Sequence, residues 1–340
     1  MAEIVLAIGC AHTPQLHTVA ADWDIRAERD RGDGIPLWFK GRKLPYAELE
    51  AARSEENLAE LLAMPVREAA LEASFAAMDR LHDAFVEARP DAVIIVGNDQ
   101  HEIFTDFVPS FSVIAADEIR NMPRTQEQVG RLPVGIAISD HGHLPQAEKV
   151  FPGHRELGLH LARQLVGGHG FDVTICHQKP TVTGAKSLLY GMPHAYGFLY
   201  NNIMRDHIVP QVPVDVNCWN YDNSPTAARC YDFGAALAEA IAGWDGPERI
   251  ALLTTGGLTH FVVDEEWDRD FLRAMAEDDR DRLRSIPQSE LMTGTSECKS
   301  WIATSAASAA AGLAMEVVDY QKLYRTEGGT GSSCAFVRWN

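Results

Sequence analysis

The sequence predicts an α/β fold: a single domain over residues 1–340, with a central mixed or largely parallel sheet and helices on both faces. Three observations carry this. Near-continuous apolar runs, such as Ala-Val-Ile-Ile-Val-Gly at 92–97 and Ile-Ala-Leu-Leu-Thr-Thr at 250–255, read as strands buried on both sides. Segments with helical spacing alternate with these runs along the chain. No linker, low-complexity tract or internal repeat divides the 340 residues.

Taken in order, residues 3–9 read as a buried strand that breaks at Gly9-Cys-Ala-His12-Thr-Pro14. Residues 20–64 form an insertion of short helices and loops, with a charge-rich stretch at 26–33 and a Trp38-Phe39-Lys-Gly-Arg loop. Pro65 suits a first helical turn, and Ala70, Ala73, Ala77, Leu81 and Ala84 then line one face of a helix at 65–88. The strand at 92–97 leads into the polar loop Asn98-Asp-Gln-His101-Glu102, and another strand is expected at 108–115. Residues 116–153 are less regular. A helix over about 154–167 closes at Gly167-Gly168 and is followed by a strand at 171–176. Prolines at 210 and 213 suggest an edge or irregular strand over 207–217, and Asn220–Pro225 is a turn. A helix at 225–243 precedes the strand at 250–255, which ends in Gly256-Gly-Leu-Thr-His260. Asp264 suits the cap of a helix that carries Glu265 and Glu266 in its first turn. Glu297 stands at the start of an alanine-rich helix to about 311, before a strand at 314–320 and a Gly-rich tail.

Composition narrows the function classes. A net charge of −18 argues against nucleic acid or an anionic membrane as partner. No run of about 18 apolar residues exists, so no membrane span is expected. The start, Met-Ala-Glu-Ile, lacks the basic region of a signal peptide. Six cysteines, at 10, 176, 218, 230, 298 and 334, form no CxxC pair, which suits reduced thiols in the cytoplasm.

Three strand ends deliver polar groups: His12, the Asn98–His101 loop and His260. His194, on a loop, and Glu297 join them as candidates. Two histidines and a carboxylate on one face of a metal leave positions open for a chelating substrate and for oxygen. Sequence spacing does not select which of these residues would do so. Of the other histidines, His141 and His143 read as surface residues and His154 and His160 as capping or packing groups, while His17, close to His12, is a candidate to support it from behind. Tyr221, Tyr324 and Arg325 are further candidates to touch a substrate, and Arg229 suits an ion pair.

Several segments together resemble the type III extradiol catechol ring-cleavage dioxygenases, the superfamily of the gallate and 3-O-methylgallate enzymes. They are Ala11-His12-Thr-Pro14, Val93–Asp99, Pro152-Gly-His154, Pro193-His194-Ala-Tyr-Gly, Asn223–Cys230, Gly256–His260, and Gly294-Thr-Ser-Glu297 with Trp301. The resemblance implies Fe(II) as cofactor, with His12 and Glu297 as ligands. It also implies a second histidine ligand after an Asn-Asp pair. Here an ungapped match places Gln100 at that position, with His101 one residue later. His101 is the expected ligand, since neutral imidazole suits Fe(II) better than an amide does. His260 resembles the acid/base residue, and His194 a second pocket histidine. The implied reaction opens the ring of a catecholic acid with O2, in a homodimer. The alternatives are a zinc hydrolase on the same scaffold, or a non-catalytic subunit with a degenerate metal site.

Overall fold

The apolar run at the start of the chain forms strand β1, Glu3–Cys10. The insertion follows as helix α1 (Trp23–Arg31), a small hairpin of β2 (Leu37–Phe39) and β3 (Arg42–Leu44), and helix α2 (Tyr46–Ala52). Helix α3, Met64–Ala88, carries Pro65 in its first turn and buries Ala70, Ala77, Leu81 and Ala84, the face expected from their spacing. Next come β4 (Ala92–Gly97) and β5 (Phe111–Ile114). The less regular stretch contains a second small pair, β6 (Glu118–Asn121) with β7 (Lys149–Pro152), and the short helices α4 (Gln126–Val129) and α5 (Val134–Ala137). Helix α6 (Arg155–Arg163), β8 (Thr174–Cys176), helix α7 (His194–Leu199) and β9 (Gln211–Val216) follow. Helix α8 (Ala227–Ala242), β10 (Arg249–Thr255) and β11 (His260–Val262) lead to helices α9 (Glu265–Ala276), α10 (Arg280–Ser285) and α11 (Cys298–Ala310). Strands β12 (Met315–Tyr324) and β13 (Thr330–Trp339) complete this computed structural model, which describes residues 1–32, 35–180, 189, 191–219 and 221–340. Asp33 of the charge-rich stretch and Asn220 of the expected turn lie outside the described residues.

Among the described residues, nine strands form the main sheet, in the order β11-β13-β1-β10-β4-β9-β5-β8, with β12 also paired to β13. Its centre, β1-β10-β4-β9, is parallel, so four carboxyl ends meet along one rim. Strands buried on both faces need apolar residues at every position, and β4 has them. Ile94 and Val96 pack with residues of α6, α8 and α11, whereas Val93 and Ile95 pack with residues of α3 and α7. Helices therefore cover both faces, as the sequence predicts.

Two expectations need correction. The proline-bearing segment is not an edge: β9 lies between β4 and β5. Pro213 is tolerated because the β5 ladder pairs only residues from Val214 to Val216, leaving the proline beyond its end. The Gly-rich tail is not a loop either. It enters β13, whose one edge carries β12 and whose other edge carries β1 at Phe336–Trp339 and β11 at Thr330–Ser332. One strand thus aligns β1 and β11 end to end, and so brings the segments of His12 and His260 to the same rim.

All six cysteines are free and buried. Among the described residues, no helix is long and apolar enough to cross a membrane.

Candidate metal centre and active site

His12 follows β1, and its ring is fixed by a chain of two contacts. The Thr255 hydroxyl donates to the Cys10 carbonyl at 2.7 Å, and Thr255 Oγ1 lies 3.0 Å from His12 Nδ1. A hydroxyl has one proton to give, so this oxygen accepts from Nδ1–H. The other nitrogen, Nε2, sits 3.2 Å from Glu297 Oε1, and whenever the ring is neutral it is the one that carries the lone pair. His260 shows the same arrangement. Its Nδ1 faces the Leu258 carbonyl at 3.2 Å, and its Nε2 lies 3.5 Å from Glu297 Oε2. On His194, Nδ1 is 2.6 Å from Glu102 Oε2, which leaves its Nε2 as the available lone pair.

Glu297 is fully buried, just before α11. Its Oε1 accepts from Gln100 Nε2 at 2.6 Å, and its Oε2 from the Gly257 N–H at 3.1 Å. Burial opposes its ionisation, but the neighbouring His12 and His260, in their protonated forms, outweigh that and hold its carboxyl at about 2. Burial lowers the pKa of His260. Burial also works against the charged form of His194, but the Glu102 carboxylate overcomes it and raises its pKa.

Glycines make room for this packing. Gly256 has φ of 140°, a conformation that side chains rarely adopt, and a Cβ there would stand 2.7 Å from Glu297 Cβ. A Cβ on Gly294 would lie 2.1 Å from Cδ2 and Nε2 of His260.

One donor atom each from His12, His194 and Glu297 lie within 4.8 Å of one another. Imidazole lone pairs aimed at a carboxylate repel it unless a cation or proton lies between. Two nitrogens and one carboxylate oxygen are a donor set that fits a divalent transition metal with positions left open. The structure brings together His12, His194, His260 and Glu297 of the residues singled out from the sequence.

His101, expected as the second histidine ligand, is not among the residues of this group. It is exposed, with φ of 59°. The cause is local. The Asp99 carboxylate accepts from the backbone N–H groups of Glu102, Ile103 and Phe104 at 3.0, 2.9 and 3.0 Å. This turn directs Gln100 inward to Glu297 and its neighbour outward. His194, expected as a second pocket histidine, offers one of the three donor atoms that lie within 4.8 Å of one another.

The remaining candidates also find their places. His143 is buried, not superficial, with Nε2 3.0 Å from the His12 carbonyl and Nδ1 3.1 Å from the Ser139 carbonyl. His17 bonds Asn202, His154 caps α6, and His160 bonds the Ala240 carbonyl. Tyr324 binds Glu265, while Arg325 binds Asp30 and Gln15, so both already have protein partners. The Tyr221 hydroxyl accepts from the Thr293 N–H at 2.6 Å and steadies the turn before Glu297. Arg229 lies over the Phe171 ring and bonds the Gly170 carbonyl instead of joining an ion pair. Sequence reasoning singles out neither Thr255 nor Glu102. Thr255 is legible in one respect, as a polar residue closing an apolar strand. Glu102 has no signal beyond its place in a polar strand-end loop.

The family described as the catalytic LigB subunit of aromatic ring-opening dioxygenase matches residues 65–337, a span that holds His194, His260 and Glu297 but begins after His12. The chain is also similar to a gallate dioxygenase from Pseudomonas putida, at 28% identity over 164 residues. That alignment covers 46% of this chain and 45% of the relative, so less than half of the relative's length is matched. With most of its length inside the family match, the chain belongs to the family of the catalytic LigB subunit of aromatic ring-opening dioxygenases.

Proposed function

We propose that the protein is a non-heme Fe(II) extradiol dioxygenase that opens the ring of a catecholic acid, in the class of gallate, 3-O-methylgallate, protocatechuate or a related lignin-derived acid. The observation that carries this reading is the convergence of imidazole nitrogens on the buried Glu297 carboxylate. Family membership supports it independently.

His12, His194 and Glu297 would hold the metal. When bound, it would acidify the catechol hydroxyls and provide a place for O2. The chain's own residues do the rest. Thr255 holds the His12 ring in the orientation that turns Nε2 inward. Gln100 and the Gly257 N–H fix Glu297 from both oxygens. His260 is not among the three grouped donors, yet its Nε2 faces the same carboxylate. It acts as the proton carrier: Nε2 accepts a proton from the substrate hydroxyl, then returns it to a developing oxygen anion. Its lowered pKa keeps the ring neutral, and so ready to accept, at physiological pH. Free, buried cysteines suit a reducing compartment, and we include the cytoplasm in the proposal.

The test is oxygen uptake by protein reconstituted anaerobically with Fe(II), offered a panel of carboxylated catechols. Uptake matched to loss of the catechol absorption band is expected. No uptake across the panel, or zinc-dependent turnover that ignores oxygen, would overturn the reading.

A further inference from the structure

Beside the donor group lies a charged residue with no role in the scheme above. Glu102 ends the loop that follows β4, and its side chain is buried with 10% exposure. Its Oε2 accepts twice from one residue: from His194 Nδ1 at 2.6 Å and from the His194 backbone N–H at 2.9 Å. Its other oxygen receives Arg124 Nη2 at 3.2 Å, and Arg124 in turn binds Asp140 at 3.0 Å. The backbone of Glu102 is itself held, since its N–H donates to Asp99. A short hydrogen bond between a carboxylate and imidazole fixes which ring nitrogen carries the proton and raises the basicity of the other. Anchoring the backbone and the ring of one residue on a single oxygen leaves the ring little freedom to turn.

The geometry points to Glu102 as the positioning residue of His194: it holds the ring as the Nδ1–H tautomer, with the Nε2 lone pair presented to His12 and Glu297. This rests on the metal-centre reading proposed above. The loop of Asn98–Glu102 then supplies no ligand of its own. It orients two donors from outside, Glu297 through Gln100 and His194 through Glu102. That explains how the group stays intact although His101 faces away. A carboxylate is required at position 102 because the contact must accept two N–H donors while balancing Arg124.

Two measurements test the assignment without turnover. In metal-free protein at alkaline pH, 15N-histidine NMR should show His194 protonated at Nδ1. In Glu102→Gln the ring should populate the other tautomer. Affinity for Co(II) and Zn(II), read by competition with a chelator, should fall about 10- to 100-fold in Glu102→Gln, with the circular dichroism spectrum retained. Wild-type protein with His194 protonated at Nε2 would overturn the proposal, even if the variant does not fold. So would a folded Glu102→Gln protein with wild-type tautomer and affinity. A His194→Ala variant that binds Co(II) and Zn(II) as tightly as wild type, with the Nδ1–H tautomer seen in wild type, would sink the metal-centre reading while supporting the Glu102–His194 pairing.

Discussion

Gly294→Ala separates the two jobs around Glu297. The added Cβ would meet His260 Cδ2 and Nε2 at 2.1 Å. Ordinary carbon contacts are about 3.5–4.0 Å, so the ring must retreat by more than about 1 Å. A catalytic group misplaced by that amount costs about 100-fold in rate. The same substitution leaves His12, His194 and Thr255 untouched, so metal content should stay at the wild-type level. The assay pairs iron analysis with oxygen-uptake kinetics on whichever catechol the wild type turns over. Expected is a fall in kcat of about 100-fold with iron retained. Turnover within a few fold of wild type would refute the argument, because the Nε2 position would then not matter. Loss of iron would refute it differently, by returning His260 to the ligands. Gly256→Ala is the counterpart. Its Cβ would strike Glu297 at 2.7 Å, on a backbone that favours glycine, so this variant should lose metal first.

Further outcomes follow from the same contacts. Thr255→Val removes the acceptor for His12 Nδ1–H and should weaken metal binding about 10-fold or more by chelator competition. Because burial lowers the His260 pKa, the acidic limb of kcat/KM should lie below pH 6.5, the ordinary imidazole value, and a limb above it would contradict the assignment of His260 as base. Stability should also depend on pH through Asp99, pushed up to about 7 by burial and by Glu102, and through Asp215, which burial and Asp99 also raise. A carboxyl with a raised folded pKa binds more protons folded than unfolded, so stability falls as pH rises from about 4 towards 7. Asp215→Asn should flatten that decline in urea unfolding series, and equal slopes would refute it.

Much of this site is legible in the sequence, for a definite reason. His12 and His260 each follow an apolar strand and a break, and parallel strands place such ends on one rim. Glu297 stands where an alanine-rich helix begins, so its position near a strand end also has a local signal. The outward turn of His101 has an equally definite cause. Which of two adjacent loop residues points inward depends on Asp99 capping three N–H groups and on a left-handed residue, and neither is visible as a pattern. The Glu102–His194 contact joins residues far apart in sequence, so only the folded chain reveals it. Pro213 misleads because prolines disfavour central strands, yet the tolerance depends on where the neighbouring ladder stops. The glycines before β13 resemble a loose tail because register with two strands cannot be read from one segment.

Strand β13 also governs the order in which the molecule can assemble on the ribosome. β1 is synthesised first, but both of its neighbours, β10 and β13, emerge much later. β11 has β13 as its partner, through Thr330–Ser332. Until β13 leaves the exit tunnel, His12 and His260 lack the shared ruler that sets their spacing. Long-range pairings of this kind fold slowly. The rim that carries His12 and His260 is therefore completed only once residues 330–339 are available to pair.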